Sequence, residues 1–209
     1  MSSLQRDPQN FQNSNWTDED RALHDGAPGY CYVATLNETC EFYSFSLGEI
    51  PSSSVSVEGL AVIVDVYKDE TGGSGTLQVG AELSWNGGTN YTTSGKKTGN
   101  LTTTETRTTL GGAADAWGRS WTRSELDSLR IRVKAEGSSI VDSPQWRLDY
   151  VAIALYWSST ATLALDMTER LDLRDSHGLA DLSLDVDEPL ALLDGGQAPG
   201  SEWKEFEIT

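Results

Sequence analysis

A period-two alternation of apolar and polar residues recurs through the middle of the chain, from Tyr30 to Trp157. It is clearest over residues 76–85 and 129–134, and glycine-rich stretches such as residues 71–75 separate the alternating runs. A period of two places the apolar side chains on one face of a β-strand, so the pattern predicts an all-β fold, an antiparallel sandwich or barrel. The residues expected in its core are Val62, Val64, Leu77, Val79, Leu83, Leu129, Ile131, Val133, Val151, Ile153 and Leu155.

Composition divides the chain into three regions. Residues 1–27 are polar, and we expect them to form an extended N-terminal arm with one short helical turn, capped by Thr17. Residues 28–158 hold the alternating runs and form the predicted β-sandwich domain. Within this domain, the sequence Thr122-Arg123-Ser124-Glu125 predicts a capping box at the start of a short helix. Residues 159–209 are the predicted C-terminal arm.

The C-terminal arm contains a tandem repeat, in which residues 160–178 align with residues 179–197. Each unit has two Leu-x-Leu fragments separated by acidic residues. Two units are too few to bury a core of their own, so we expect them to pack on the sandwich or on another chain. The leucines predicted to form this assembly arm are Leu163, Leu165, Leu171, Leu173, Leu182, Leu184, Leu190 and Leu192.

The net charge disfavours two classes of partner. The chain has 15 Lys and Arg residues against 32 Asp and Glu residues, which gives a formal charge of −17. Such a chain repels nucleic acids and anionic bilayers, so we expect neither as a partner, and we expect copies of the chain to repel one another at low salt. The sequence also lacks an apolar run of membrane-spanning length, and residues 1–20 lack the apolar region of a secretory signal.

Residues typical of catalytic sites are few and scattered. His24 and His177 lie in polar stretches, and neither has a recognisable partner for a catalytic triad. Glu82 is the best carboxylate on a predicted strand for a glycosidase, but that chemistry needs a second carboxylate nearby. We therefore predict that the chain is not an enzyme, with a divergent glycosidase as a minor alternative.

The sequence predicts no metal site and no cofactor. Cys31 and Cys40 do not have the spacing of a zinc site with either histidine. We expect them to be half-buried thiols on neighbouring strands of a hairpin, with a disulfide between them as the alternative. The acidic residues 185–188 lack the glycine and the distal glutamate of a calcium-binding EF-hand loop, which favours a solvated turn.

Four aromatic residues are the candidates for ligand binding: Trp85, Tyr91, Trp117 and Trp121. The three tryptophans flank glycines at predicted loop ends, where an indole can present its face to a sugar ring. The alternative is that the indole rings close the ends of the sandwich, with each indole N–H bonded to a backbone carbonyl.

Five motifs occur together between residues 81 and 157. They are Leu83-Ser84-Trp85-Asn86-Gly87-Gly88, Leu110-Gly111-Gly112, Ala116-Trp117-Gly118-Arg119-Ser120-Trp121-Thr122, Leu129-Arg130-Ile131-Arg132-Val133 and residues 149–157. Together they resemble a β-sandwich module that recurs in the virion proteins of tailed bacteriophages. The resemblance implies a jelly-roll-like or lectin-like sandwich of the kind used in decoration, neck, baseplate or fibre proteins. It covers neither arm and brings no catalytic residues.

These observations predict a non-enzymatic structural protein of a tailed-phage virion, made in the host cytoplasm and located in the particle. It would be a capsid decoration or cement subunit, or a tail or neck accessory, with an antiparallel jelly-roll-like sandwich assembled through its arms. The expected partners are other copies of the chain and other capsid or tail proteins. The alternative is a carbohydrate-binding adhesion module that recognises host surface glycans through the four aromatic residues.

Overall fold

The computed structural model describes residues 1–52, 55–69, 75–138 and 144–159, in which β-strands predominate. A 3₁₀ turn occupies Glu19–Leu23. A short α-helix, α1, spans Arg123–Asp127. The strands are β1 (Ser2–Arg6), β2 (Asn10–Gln12), β3 (Cys31–Val33), β4 (Thr39–Tyr43), β5 (Val55–Lys68), β6 (Thr76–Ser84), β7 (Lys96–Lys97), β8 (Thr106–Gly111), β9 (Arg130–Ser138) and β10 (Trp146–Ser159).

The strands form two antiparallel sheets of five strands each. The first sheet has the order β1-β10-β5-β8, and β3 also pairs with β10. Strands β1 and β3 share one edge of β10, because β1 pairs with residues 153–157 and β3 with residues 146–148, while β5 pairs along the opposite edge. The second sheet has the order β2-β4-β9-β6-β7. The predicted all-β antiparallel sandwich is confirmed.

The core lies between the two sheets, and it contains every residue that the alternation assigned to it. The eleven residues expected there are all at most 2% exposed, from Val62 on β5 to Leu155 on β10. Burying one such Val, Leu or Ile side chain stabilises the fold by about 1.5–3 kcal/mol. The period-two pattern therefore identified the inward face of the long strands correctly.

The N-terminal segment is not an extended arm. Strand β1 pairs with β10 and β2 pairs with β4, so this segment adds an edge strand to each sheet. Leu4, Trp16 and Ala22 are buried with the core, so apolar contacts as well as strand pairing hold a segment whose other residues are mostly polar. The predicted short helical turn is present, but Asp18 precedes it and Thr17 does not cap it.

Cys31 and Cys40 lie on different sheets, so the predicted hairpin between them is wrong. Cys31 is on β3 of the first sheet and Cys40 is on β4 of the second, and both are fully buried free thiols. Burial raises the pKa of Cys40 to about 12, and it raises the pKa of Cys31 well above its usual value. Both side chains are therefore neutral and pack as small apolar groups.

The capping box predicted before α1 is confirmed. The backbone N–H of Glu125 donates to the Thr122 hydroxyl at 3.3 Å, and the Glu125 carboxylate accepts from the Thr122 backbone N–H at 2.8 Å. The last described strand ends at Ser159. The eight repeat leucines of the predicted assembly arm, and His177, lie outside the described residues.

Candidate functional site

An open cleft of about 330 Å³ lies at one end of the sandwich, and three of the four predicted aromatic residues line it. Trp121, the fourth, is joined to this group because Arg119 lies over both its ring and that of Trp85. The residues that line the cleft are Trp85, Tyr91, Thr92, Thr93, Trp117, Gly118, Arg119 and Ser120. The structure thus brings all four candidates together.

Trp117 is part of the core beneath the cleft. Its side chain is part of the main apolar cluster, its exposure is 1%, and its indole N–H donates to the Leu60 carbonyl at 2.9 Å. The Lys96 ammonium lies 5.2 Å from the ring centroid and pairs with Asp115 at 2.7 Å. The hydrogen bond from Lys96 lowers the pKa of Asp115, whose carboxylate also accepts from the Trp117 backbone N–H. The Trp117 ring is therefore held on its edge and on one face.

Arg119 is enclosed by aromatic rings, an arrangement that we call the Arg119 stack (Trp85, Arg119, Trp121 and Glu125). The guanidinium carbon lies 3.9 Å from the ring centroid of Trp85 and 4.8 Å from that of Trp121. The Glu125 carboxylate accepts from the same guanidinium. Each cation–π contact contributes about 0.5–2 kcal/mol, depending on its exposure to water. The guanidinium thus occupies one ring face of each of these two tryptophans.

Two further features hold the Arg119 stack in place. The indole N–H of Trp121 donates to the Ala116 carbonyl at 2.9 Å. Gly118 adopts a φ of +76°, and a Cβ there would lie 2.7 Å from the Ser94 hydroxyl, so the turn between Trp117 and Arg119 requires glycine. Although burial acts in the opposite direction, hydrogen bonds from Thr122 and the charge of Arg119 lower the pKa of Glu125.

The interpretation that the indoles close the end of the sandwich is confirmed for Trp117 and Trp121. Both are at most 5% exposed, and both indole N–H groups bond backbone carbonyls. Trp85 is half-buried and packs against the core cluster, so it retains some accessible surface in the cleft. That these aromatic residues bind a ligand stays a prediction.

Tyr91 connects the cleft to the outer face of the second sheet. Its hydroxyl donates to the Glu41 carboxylate, and the Arg132 guanidinium carbon lies 3.5 Å from its ring centroid. Burial, followed by the hydrogen bond to Glu41, raises the pKa of Tyr91 well above its usual value. Glu41 is 6% exposed and also pairs with Arg130 at 3.1 Å. Tyr91 is therefore a neutral hydrogen-bond donor in a network of charged residues.

Other residues considered for catalysis are engaged elsewhere. Glu82 accepts from the Arg132 Nε at 2.7 Å on the outer face of the second sheet. His24 is exposed, and its Nδ1 lies 4.0 Å from an Asp7 carboxylate oxygen. Within the described ranges, no three His, Cys, Asp or Glu side chains are grouped so as to hold a metal ion. No helix there is long and apolar enough to cross a bilayer.

A group of charged residues that the sequence analysis did not identify lies on the outer face of the first sheet. Arg107 bonds Asp65 at 2.6 Å and Asp25 at 2.8 Å, and Asp65 is 4% exposed. Burial, and then the negative charge of Asp65, raises the pKa of Asp149. Burial also raises the pKa of Glu105, as do the charges of Asp149 and Asp65. One sign of this charged group was present in the sequence, since Asp65 is an acidic residue within the otherwise apolar run of β5.

Comparison with known proteins does not assign a family to the chain. No protein-family model matches it, and no curated protein matches it in sequence.

Proposed function

We propose that the chain is a non-enzymatic structural subunit of a tailed-phage virion, either a capsid decoration or cement protein or a tail or neck accessory. The observation that carries the proposal is the Arg119 stack. Two of its four residues, Arg119 and Trp121, belong to the motif at residues 116–122 that carries part of the virion-module resemblance, and Arg119 lies over two tryptophans and pairs with Glu125. These contacts stabilise the end of a sandwich, which favours a scaffold over an open aromatic platform.

The strand order supports the jelly-roll part of this proposal. When the edge strands β1 and β2 are set aside, eight strands remain, with the orders β3-β10-β5-β8 and β4-β9-β6-β7. Two facing four-stranded antiparallel sheets are the arrangement of a jelly roll, an architecture that recurs in viral capsid proteins.

Assembly in this proposal depends on residues 159–209, because the N-terminal segment belongs to the subunit's own sheets. The Leu-x-Leu fragments present apolar side chains at every second position, which suits pairing with a sheet edge of another subunit. Each leucine would contribute about 25 cal/mol per Å² of apolar area that it buries against a neighbour.

Substitution of the repeat leucines tests assembly in the full-length chain. We expect sedimentation velocity to detect oligomers of the wild-type protein and monomers of the variant Leu163→Ser/Leu165→Ser/Leu182→Ser/Leu184→Ser. The matched control is Ala161→Ser/Ala180→Ser, which alters small residues of the same two units and should still oligomerise. Equal oligomerisation of the leucine variant and the control contradicts assembly through the repeat.

The virion location has its own test. Antibodies raised against the purified chain should label intact particles from a host that produces it, as observed by immunogold electron microscopy. Signal confined to the particle-free lysate contradicts the proposal.

A second candidate function is glycan binding, and the partly exposed ring of Trp85 favours it. Thr93 and Ser120 line the same cleft, so the cleft combines an aromatic surface with hydroxyl groups. On a glycan array, sub-millimolar binding that Trp85→Ala abolishes without a change in circular dichroism would support this candidate. Trp117→Ala is unsuitable for the test because it removes a buried ring of the core, at a cost of about 3–5 kcal/mol.

A further inference from the structure

The outer face of the second sheet carries cations although the chain as a whole is strongly acidic. Arg130, Arg132 and Lys134 of β9 point outward, because they alternate with the buried Ile131, Val133 and Ala135. Arg130 and Arg132 are ion-paired with Glu41 and Glu82. Lys134 is only weakly engaged, since its ammonium lies 3.9 Å from Glu136. Of the three outward cations of β9, Lys134 is therefore the one held least closely by a carboxylate.

Lys134 faces a second lysine across a glycine. In the sheet register Gly80 of β6 pairs with Lys134 of β9 on one side and with Lys97 of β7 on the other. Two interstrand spacings therefore separate the Cα atoms of the lysines, about 10 Å. Lys97 is exposed, and within the described residues its ammonium has no carboxylate within 4.0 Å. Gly80 has no side chain, so no side chain of β6 separates the two lysines at this position.

These residues form what we call the lysine groove, with a volume of about 240 Å³. A Cβ on Gly80 would lie 2.8 Å from a carboxylate oxygen of Glu136, so the Glu136 carboxylate extends over the glycine floor. The groove thus holds one internal carboxylate beside two ammonium groups. The residues that line it are Asn37, Gln78, Lys97, Lys134, Glu136, Gly137 and Ser138.

The segment that complements this groove in charge belongs to the same sequence. Residues 160–209 contain twelve acidic and three basic residues, a net charge of −9, compared with −8 for residues 1–159. Acidic residues recur in both repeat units, at Asp166 and Glu169 and again at Asp185 and Glu188. Fifty residues can extend over about 165 Å, so this segment is long enough to reach a neighbouring subunit.

We propose that the lysine groove binds acidic residues of segment 160–209 from a second copy of this chain. This inference rests on the proposed assembly function and names the surface that receives the segment. The contact joins different surfaces on the two copies, so reciprocal exchange of the segment gives a dimer and one-way contacts give closed rings or filaments. It also gives an attraction between copies whose net charge alone predicts repulsion.

Charge reversal in the full-length chain tests the groove. We expect Lys134→Glu to raise the dissociation constant of self-association about tenfold, since it replaces an attraction by a repulsion. Lys68→Glu, which makes the same charge change on the first sheet, should alter it less than about twofold. Glu136→Gln should lower the dissociation constant, because it removes the internal competitor for the two lysines. Sedimentation velocity at several protein concentrations measures all three.

Rescue and salt dependence complete the test. In the Lys97→Glu/Lys134→Glu background, Asp185→Lys/Asp187→Lys in the repeat should restore association. Wild-type association should weaken between 50 and 500 mM NaCl, as screening predicts for contacts between opposite charges.

Two outcomes overturn the inference and leave the proposed function standing. In the first, self-association depends on the repeat leucines, but Lys134→Glu and Lys68→Glu change its dissociation constant equally. In the second, self-association strengthens steadily as the salt concentration rises. A wild-type chain that stays monomeric at all concentrations overturns the proposed assembly itself. A further outcome also overturns the inference. If the wild type does not self-associate but binds a sulfated oligosaccharide, and Lys97→Glu/Lys134→Glu abolishes that binding, the groove is a glycan site.

Discussion

The carboxylates on the outer faces of the two sheets are paired with arginines in different ratios. On the second sheet, each of two carboxylates has its own arginine, in the pairs Glu41–Arg130 and Glu82–Arg132. On the first sheet, Arg107 alone bonds two carboxylates, those of Asp65 and Asp25, and two further acids with raised pKa values lie close by.

This difference shows that the net charge of −17 does not describe either face. Which charges meet is determined by strand pairing: β9 brings its cations between β4 and β6, whereas β5 and β8 bring Asp65 beside a single cation. Loss of Arg107 leaves two carboxylates without this cation, whereas loss of Arg132 leaves one.

The largest expected effect is the loss of the shared arginine. Arg107→Gln leaves the buried Asp65 carboxylate next to Asp25 without its cation, and we expect the free energy of unfolding to fall by about 2 kcal/mol, allowing for the partial exposure of Arg107. Arg132→Gln, in a pair whose side chains are about 30% exposed, should cost less than about 1 kcal/mol. Urea denaturation followed by tryptophan fluorescence measures both. Equal losses of unfolding free energy in the two variants would contradict the contrast between the faces. As a control, Asp65→Asn in the Arg107→Gln background should recover most of the lost free energy.

A smaller effect is expected from the hydroxyl that joins the cleft to the second sheet. Tyr91→Phe removes the hydrogen bond to Glu41 but leaves Arg130 and Gln12 bonded to that carboxylate. We expect a loss of about 1 kcal/mol in the same denaturation experiment. A loss as large as that of Arg107→Gln would show that the second face is not the more tolerant one.

The smallest effect is a gain in stability on the acidic face. The folded pKa of Asp149 is raised by burial and by Asp65, so its charge opposes folding at neutral pH. Asp149→Asn should therefore raise the free energy of unfolding at pH 7 by about 0.5 kcal/mol. The gain should shrink as the pH falls through the raised pKa towards the ordinary value of 3.8, because the wild-type carboxyl then becomes neutral too. A gain that does not vary between pH 7 and pH 4 contradicts this assignment.

Opposite behaviour is expected of Asp115 and Glu125, whose pKa values are lowered in the folded protein. The ion pair of Asp115 with Lys96, and the hydrogen bonds of Glu125 with Thr122 together with its Arg119 ion pair, stabilise the fold above the ordinary pKa values of 3.8 and 4.5. This contribution is lost as the pH falls through the folded pKa values. Lys96→Met should reduce the acid sensitivity of unfolding below pH 4, as measured by thermal melts across a pH series. If the variant unfolds with the same acid sensitivity below pH 4, Lys96 does not stabilise the charged form of Asp115.

The interior of the sandwich could be predicted from the sequence, since a period of two is a local property of a strand. Leu77 and Val79 alternate with Gln78 and Gly80 within a few residues, and the capping box at Thr122 is equally local. The charged faces could not be predicted in the same way. The contact of Arg107 with Asp25 joins residues that are far apart in sequence, and only the strand order brings them together.

The candidate site was predicted in part. The four aromatic residues meet at one end of the sandwich, but the sequence did not show that Arg119 would cover ring faces of Trp85 and Trp121. Cys31 and Cys40 illustrate the same limit, because a short connection with a positive φ at Asn37 leads to the opposite sheet rather than to a hairpin partner. Such crossings depend on tertiary packing, which a local pattern does not contain.

The position of β10 has a consequence for the time course of folding. β10 lies between β5 on one edge and β1 and β3 on the other, so Ser2 pairs with Trp157 across almost the whole described chain. During synthesis, β1 must wait for β10 before it has its partner, and β5 waits for the same strand, its longest neighbour. Non-local pairing of this kind makes folding slow, and it leaves unpaired strand edges exposed to other chains until β10 is in place.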